Sequence, residues 1–165
     1  MLVSNERVRE KWNAQKRAAK ALNVLLQRDI CDVEVSEEIQ FELPDPGDLR
    51  ELTVRIQAAD HSFWRGEPFE FRVAVPLDYP YRPPKVTCAS GPPHPNIAEG
   101  VVCLGLVRED WLPVYSLSHV FQGLLSLMYA PNTEDPLNAP AAAEFSRWAA
   151  APAHPSPQLG PFARQ

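Results

Sequence analysis

No apolar run in the chain approaches the roughly 20 residues that a membrane span requires, and the opening MLVSNERVREKW has no apolar core of the kind a secretory signal carries. The protein is therefore expected to be intracellular, with no membrane partner. Cysteine is scarce: Cys31, Cys88 and Cys103 are odd in number, and none is paired as CxxC. That pattern suggests neither a disulfide framework nor a zinc site, so free thiols and no metal are expected. Gly-rich and aromatic nucleic-acid motifs are missing as well, and no internal repeat is visible. What remains is a chain of 165 residues, 45% hydrophobic and 22% charged, long enough for one folded domain with a substantial core.

The net charge of −5 is unevenly spread. Residues 1–28 hold Arg7, Arg9, Lys11, Lys16, Arg17, Lys20 and Arg28 against Glu6 and Glu10, a local +5 that leaves −10 for the rest. This predicts a basic helix projecting from an acidic body, either as a solvated face or as a docking surface for an acidic protein; the body would repel nucleic acid.

Periodicity divides the chain further. Val8, Trp12, Ala19, Leu22 and Leu26 fall at three-, four- or seven-residue intervals and predict an amphipathic helix from about Glu6 to Arg28. VEVSEEIQFEL (33–43), ELTVRIQA (51–58) and FEFRVAVP (69–76) alternate apolar and polar residues, with turn chemistry in PDPGD and HSFWRGEP, and predict a three-stranded meander. KVTC (85–88) adds a fourth strand after the proline-rich YPYRPP. Residues 89–115 show no period and read as a long ordered loop, the usual home of function. Ser116 then caps an apolar helix, SLSHVFQGLLSLMYA, apolar around most of its circumference and so expected to be central and buried; Pro131 stops it. A short helix is predicted from Ala139 to about Ala150. The expected division is an arm at 1–5, a core domain at 6–150 and a Pro-rich disordered tail at 151–165.

Cys103 lies in HPNIAEGVVCLGLVREDWLPV (94–114) with Val101, Val102, Leu104 and Leu106 around it and no adjacent Lys or His. Such a thiol suits the exchange of an already activated acyl group, as thioester, to another thiol or to an amine. A cysteine protease would need a positioned histidine base. His94, between prolines, reads as a brace of the loop rather than as that base. Asn96 has two open readings: a carboxamide donor to an oxyanion at Cys103, or a tie between the loop and backbone groups.

Taken in order, helix, meander, YPYRPP, HPN, CL, W-L-P, central helix and PNTEDPLN resemble the ubiquitin-conjugating enzymes over roughly residues 8–150. The resemblance implies an α+β fold with an N-terminal helix, a four-stranded antiparallel meander sheet, a central buried helix and a short C-terminal helix. It implies a transferase that receives a ubiquitin-like modifier from its activating enzyme as a thioester and passes it to a lysine held by a ligase. Cys103 matches the acceptor, Asn96 the HPN asparagine, and Asp135 the acid that helps desolvate and orient the lysine; a turn role for Asp135 before Pro136 stays open. His94, Pro95 and Leu104 shape the active-site loop. Tyr81, Arg82, Leu112, Pro113 and Val114 fall where the family meets RING-type ligases, and Arg9, Lys16, Arg17 and Lys20 form the face for the activating enzyme.

CLGLVREDWLPV is most similar to the CLNILREDWKPV pattern of the neddylation-conjugating branch, which implies cullin-type substrates. Met1 and Leu2 resemble that branch's N-terminus, captured by a co-ligase, or are ordinary start residues. No cofactor is implied, ATP being used by the activating enzyme. A monomer in cytoplasm and nucleus is expected. Two departures stand out: Asn96 and Cys103 are seven positions apart, one fewer than is typical, and Gly105 stands where Asp or Asn is usual. Ubiquitin as cargo, a non-catalytic binding variant and a cysteine hydrolase are the alternatives.

Overall fold

A computed structural model describes residues 5–151, including the side chains of 9, 10 and 12–151. The predicted arm up to residue 4 and nearly all of the predicted tail lie outside the described residues.

The N-terminal helix α1 runs Asn5–Cys31, three residues beyond its expected end. Its last turn is held by the core, because buried Asp29 accepts a hydrogen bond from the Tyr79 hydroxyl. Burial and that carboxylate hold the Tyr79 phenol far above the ordinary tyrosine range. Among the described side chains, those of α1 that enter the core lie in its second half, Leu22 and Leu26. Residues 12–18 are all exposed, and Trp12, expected on the apolar face, is 57% exposed with Lys16 Nζ 3.7 Å from its ring centroid. The apolar spacing at this end is real, but among the described residues Trp12 meets no apolar surface that buries it.

Strands β1 (Ile39–Glu42), β2 (Glu51–Gln57), β3 (Pro68–Ala74) and β4 (Lys85–Ser90) form the antiparallel meander. Alternation sends Leu52, Val54, Ile56, Phe69, Phe71 and Val73 to one face, where all are 0–2% exposed. At about 25 cal/mol per Å2 of apolar surface buried, that face is the main drive for folding. The alternation of VEVSEEIQFEL becomes strand only from Ile39. Ser36 Oγ accepts from the backbone N–H groups of Glu38 and Ile39, at 3.2 and 3.1 Å, and this turn replaces the first half of the expected strand.

Two short strands unforeseen in the proline-rich loop, β5 (Ile97–Ala98) and β6 (Val101–Val102), pair as a hairpin and extend the sheet beyond β4 in the order β1-β2-β3-β4-β6-β5. Helix α2 (Leu117–Tyr129) packs on the buried face against β2 and against α1. It buries Leu117, Val120, Phe121, Leu124, Leu127 and Met128, and its start is closed by the Ser116 N–H donating to His119 Nδ1 at 3.2 Å. Helix α3 (Ala139–Ala149) starts at Asn138, whose side chain accepts from the Ala141 N–H at 3.2 Å. Its Phe145 and Trp148 join Phe63 and Trp64 in an aromatic cluster. Among the described residues no helix is long and apolar enough to cross a membrane, and no group of three or more His, Cys, Asp or Glu could hold a metal ion.

Candidate functional site around Cys103

The segment His94–Asn96 is tied in four directions, and Cys103 hangs from it. The Cys103 N–H donates to Asn96 O at 2.9 Å, directly after β6. The Asn138 N–H donates to Pro95 O at 2.9 Å, joining the start of α3 to the same loop. His94 is fully buried, stacked on Trp64 with ring centroids 4.6 Å apart. Its Nδ1 accepts the Asn96 N–H at 3.0 Å and its Nε2 lies 3.1 Å from Leu127 O. Those partners fix the neutral ring with the proton on Nε2. Burial pushes His94 down to about 4, partly opposed by the Leu127 carbonyl. Both ring nitrogens are occupied by these partners, which leaves neither free to act as a base.

Asn96 is 1% exposed and makes a reciprocal pair across to the loop after α2. Its Nδ2 donates to Asn132 O at 2.8 Å and its Oδ1 accepts the Asn132 N–H at 2.8 Å. The tie between loop and backbone is therefore present. One carboxamide N–H has no acceptor among the described residues, which leaves a donor for another oxygen.

Asn132 was not singled out from the sequence. Its own Oδ1 accepts from the backbone N–H groups of Glu134 and Asp135, at 2.9 and 3.3 Å, forming the turn that carries exposed Asp135. The legible signal was the Asn-x-x-Asp spacing, a side-chain turn pattern. Asp135 thus combines a place in a turn with a carboxylate that has no partner among the described residues, and Asn132 links it to Asn96.

The seven-position span from Asn96 to Cys103 folds as the β5–β6 hairpin. Glu99 and Gly100 both have positive φ, 51° and 78°, as in the tight turns that suit antiparallel hairpins. A Cβ at Gly100 would also lie 3.2 Å from Cys88 O, so glycine serves both conformation and approach. The Cys103 N–H to Asn96 O bond closes this hairpin at its base. The three cysteines are free; Cys31 is exposed while Cys88 and Cys103 are half-buried. Burial raises the Cys88 thiol. Leu104 lies against Gly123 of α2, whose added Cβ would meet Leu104 Cδ2 at 3.4 Å.

The two proline-stiffened loops meet. Trp111, buried, donates from Nε1 to Pro80 O at 2.8 Å, fixing the second loop to the first. Around that tie Tyr81 is 79%, Leu112 52% and Val114 77% exposed, with Arg82 and Pro113 exposed beside them and Arg82 paired to Asp78. Arg9, Lys16, Arg17 and Lys20 are all exposed on α1. Met1 and Leu2 lie outside the described residues.

Residues 25–151 match the sequence model of the family described as ubiquitin-conjugating enzyme. The chain belongs to the ubiquitin-conjugating enzyme family. This conjugating enzyme is 36% identical over 150 residues to the NEDD8-conjugating enzyme ubc12 of Schizosaccharomyces pombe, an alignment covering 85% of this chain and 84% of that protein. It is 40% identical over 134 residues to the Nedd8-conjugating enzyme UbcE2M of Drosophila melanogaster, covering 81% and 74% of the two chains. The structure of S. cerevisiae Ubc12 is similar to it with a TM-score of 0.74 at 28% identity, over 86% of this chain and 82% of that one. Membership makes the conjugating enzyme a transferase of ubiquitin-like modifiers, with an activating enzyme and a modifier as its partners. The hydrolase alternative falls with that result.

Proposed function

We propose that this conjugating enzyme accepts NEDD8 from its activating enzyme as a thioester on Cys103 and transfers it to a lysine of a cullin-type scaffold held by a RING-type ligase. The support for NEDD8 is that relatives 36–40% identical to it are NEDD8-conjugating enzymes. The observation that carries Cys103 is its backbone bond to Asn96, which joins a half-buried cysteine to the residue whose buried carboxamide has one N–H without an acceptor among the described residues. Burial raises the Cys88 thiol, and Cys31 closes the last turn of α1.

In the first step the Cys103 thiolate attacks the modifier's carbonyl carbon in the activating-enzyme thioester. A new C–S bond forms, the old one breaks, and the activating enzyme's sulfur leaves with the electron pair. In the second a lysine amine attacks the Cys103 thioester, a C–N bond forms, Cys103 leaves as thiolate, and the nitrogen gives up a proton. The spare Asn96 N–H stabilises the oxyanion formed between attack and departure; one such donor is worth roughly 3 kcal/mol. Asp135, held by the Asn132 turn, orients the amine. Tyr81, Arg82, Leu112, Pro113 and Val114 form the ligase patch, and the basic face of α1 docks the acidic surface of the activating enzyme. The chain acts as a monomer in cytoplasm and nucleus, with Met1 and Leu2 available to a co-ligase.

The test mixes the protein with ATP and either NEDD8 or ubiquitin, each with its own activating enzyme, and follows thioester formation on non-reducing gels. A reductant-sensitive shift with the NEDD8 pair alone is expected. A shift with the ubiquitin pair alone would keep the chemistry and overturn the cargo, and no shift with either would overturn both.

A further inference from the structure

We infer that Asp110 supplies the carboxylate that receives the proton of the attacking lysine, standing in the space left open by Gly105; this rests on the thioester reading of Cys103. A Cβ built on Gly105 would lie 2.1 Å from Asp110 Oδ2 and 3.2 Å from its Cγ, so the Asp110 carboxylate occupies the volume a side chain at position 105 would fill. Two backbone bonds close the loop that brings it there: Gly105 O accepts from the N–H groups of Arg108 and Asp110, at 2.8 and 3.1 Å.

The direction of that volume follows from the backbone. Leu104 is extended, with φ −138° and ψ 110°. Its side chain and that of Leu106 lie against Gly123 of α2, at 3.4 and 3.0 Å from the position of an added Cβ. Across extended Leu104 the side chains on either side project opposite to its own, so position 105, where a short 3-10 helix (Gly105–Val107) begins, points away from α2 as position 103 does, the two Cα atoms being about 7 Å apart. The carboxylate lodged at position 105 therefore stands on the face of the Cys103 thiol, at a span that an amine attacking the thioester carbon bridges. Among the described residues it makes no ion pair or side-chain hydrogen bond, so it is free to accept one.

The step balances without a further reagent. The amine nitrogen bonds to the carbonyl carbon and carries a positive charge. Its proton passes to the Asp110 carboxylate and from there to water, while the C–S bond breaks and Cys103 leaves as thiolate. Proton removal by a positioned group commonly contributes 100-fold or more, and with Asp135 also near the amine a smaller share falls to Asp110.

The test is single-turnover discharge of the loaded full-length protein to free L-lysine and, separately, to hydroxylamine, which attacks largely unprotonated. Asp110→Asn and Asp110→Ala are expected to load normally, to slow lysine discharge about 10-fold, and to leave hydroxylamine discharge within twofold of wild type. Gly105→Asp in the Asp110→Ala background, which returns a carboxylate to the same volume, is expected to recover most of the lysine rate. Lysine discharge within twofold of wild type in both single variants would overturn the assignment. So would equal slowing toward both nucleophiles, or a double variant no faster than Asp110→Ala, since either outcome makes Asp110 a structural residue. Failure of wild type itself to load is a different result, and it overturns the thioester reading from which the inference starts.

Discussion

Replacing Asn96 with Ala removes the centre of the active-site loop and separates the two roles its carboxamide holds. The substitution deletes both 2.8 Å bonds to Asn132. Each is worth about 1 kcal/mol net, and the Asn132 N–H and C=O stranded by the change add a desolvation cost that water offsets only in part, since the pair is half-buried. The sum is about 2–3 kcal/mol. For a domain of this size, 1 kcal/mol moves Tm by about 2–4 °C, so a drop of about 5–10 °C is expected in a thermal melt followed by circular dichroism. The loss should be independent of modifier and ligase, because it belongs to the fold. Discharge of the loaded variant should fall as well, by about 100-fold or more, because the spare N–H is gone. A melting temperature within 1 °C of wild type would refute the structural bracing. A full-rate discharge to lysine from a destabilised variant would instead refute the oxyanion donor.

Acid should unfold the protein partly through His94. With its folded value near 4 against 6.5 when unfolded, the stabilising effect of keeping it neutral is fully present above about pH 6.5 and is lost as pH falls toward 4. That amounts to about 3 kcal/mol; urea titrations across this window should show stability rising with pH, and an equal slope in His94→Gln would contradict the assignment. Val114→Glu places a charge in the exposed patch built on the Trp111 to Pro80 bond, and ligase stimulation of discharge should fall about 10-fold, an interface anchor being worth 1–2 kcal/mol. Undiminished stimulation would remove Val114 from the patch. Arg17→Glu with Lys20→Glu reverses two exposed charges on α1, and the rate of loading should fall and lose most of its salt dependence. Unchanged loading kinetics would return that face to solvent.

Much of the fold was legible in period alone. The alternation of ELTVRIQA and FEFRVAVP and the apolar helix after Ser116 correspond to β2, β3 and α2 because each buries the face its spacing marks. Spacing misled where it had no partner: Trp12 repeats with Leu22 and Leu26, yet burial depends on what lies opposite, and among the described residues nothing covers Trp12. Side-chain competition with the backbone was also invisible, as at Ser36. In the site, Cys103, Asn96 and His94 were marked by residue type and proline setting. Their geometry was not, because it depends on Asn132, 36 residues from Asn96 in sequence. Gly105 illustrates the same limit: alone it is a missing polar group, and only the loop's closure brings Asp110 into its place.

The claim on which the rest depends is that the modifier is carried on the Cys103 sulfur. Cys103→Ser replaces the thiol with a hydroxyl at the same position, and its loaded product should be an ester: resistant to thiol reductant, cleaved by mild alkali, and mapping by mass spectrometry to residue 103. Loading of Cys31→Ala with Cys88→Ala should at the same time match wild type. A reductant-sensitive conjugate that persists in Cys103→Ser, or that disappears in the double alanine variant, would place the modifier on another cysteine and contradict the account.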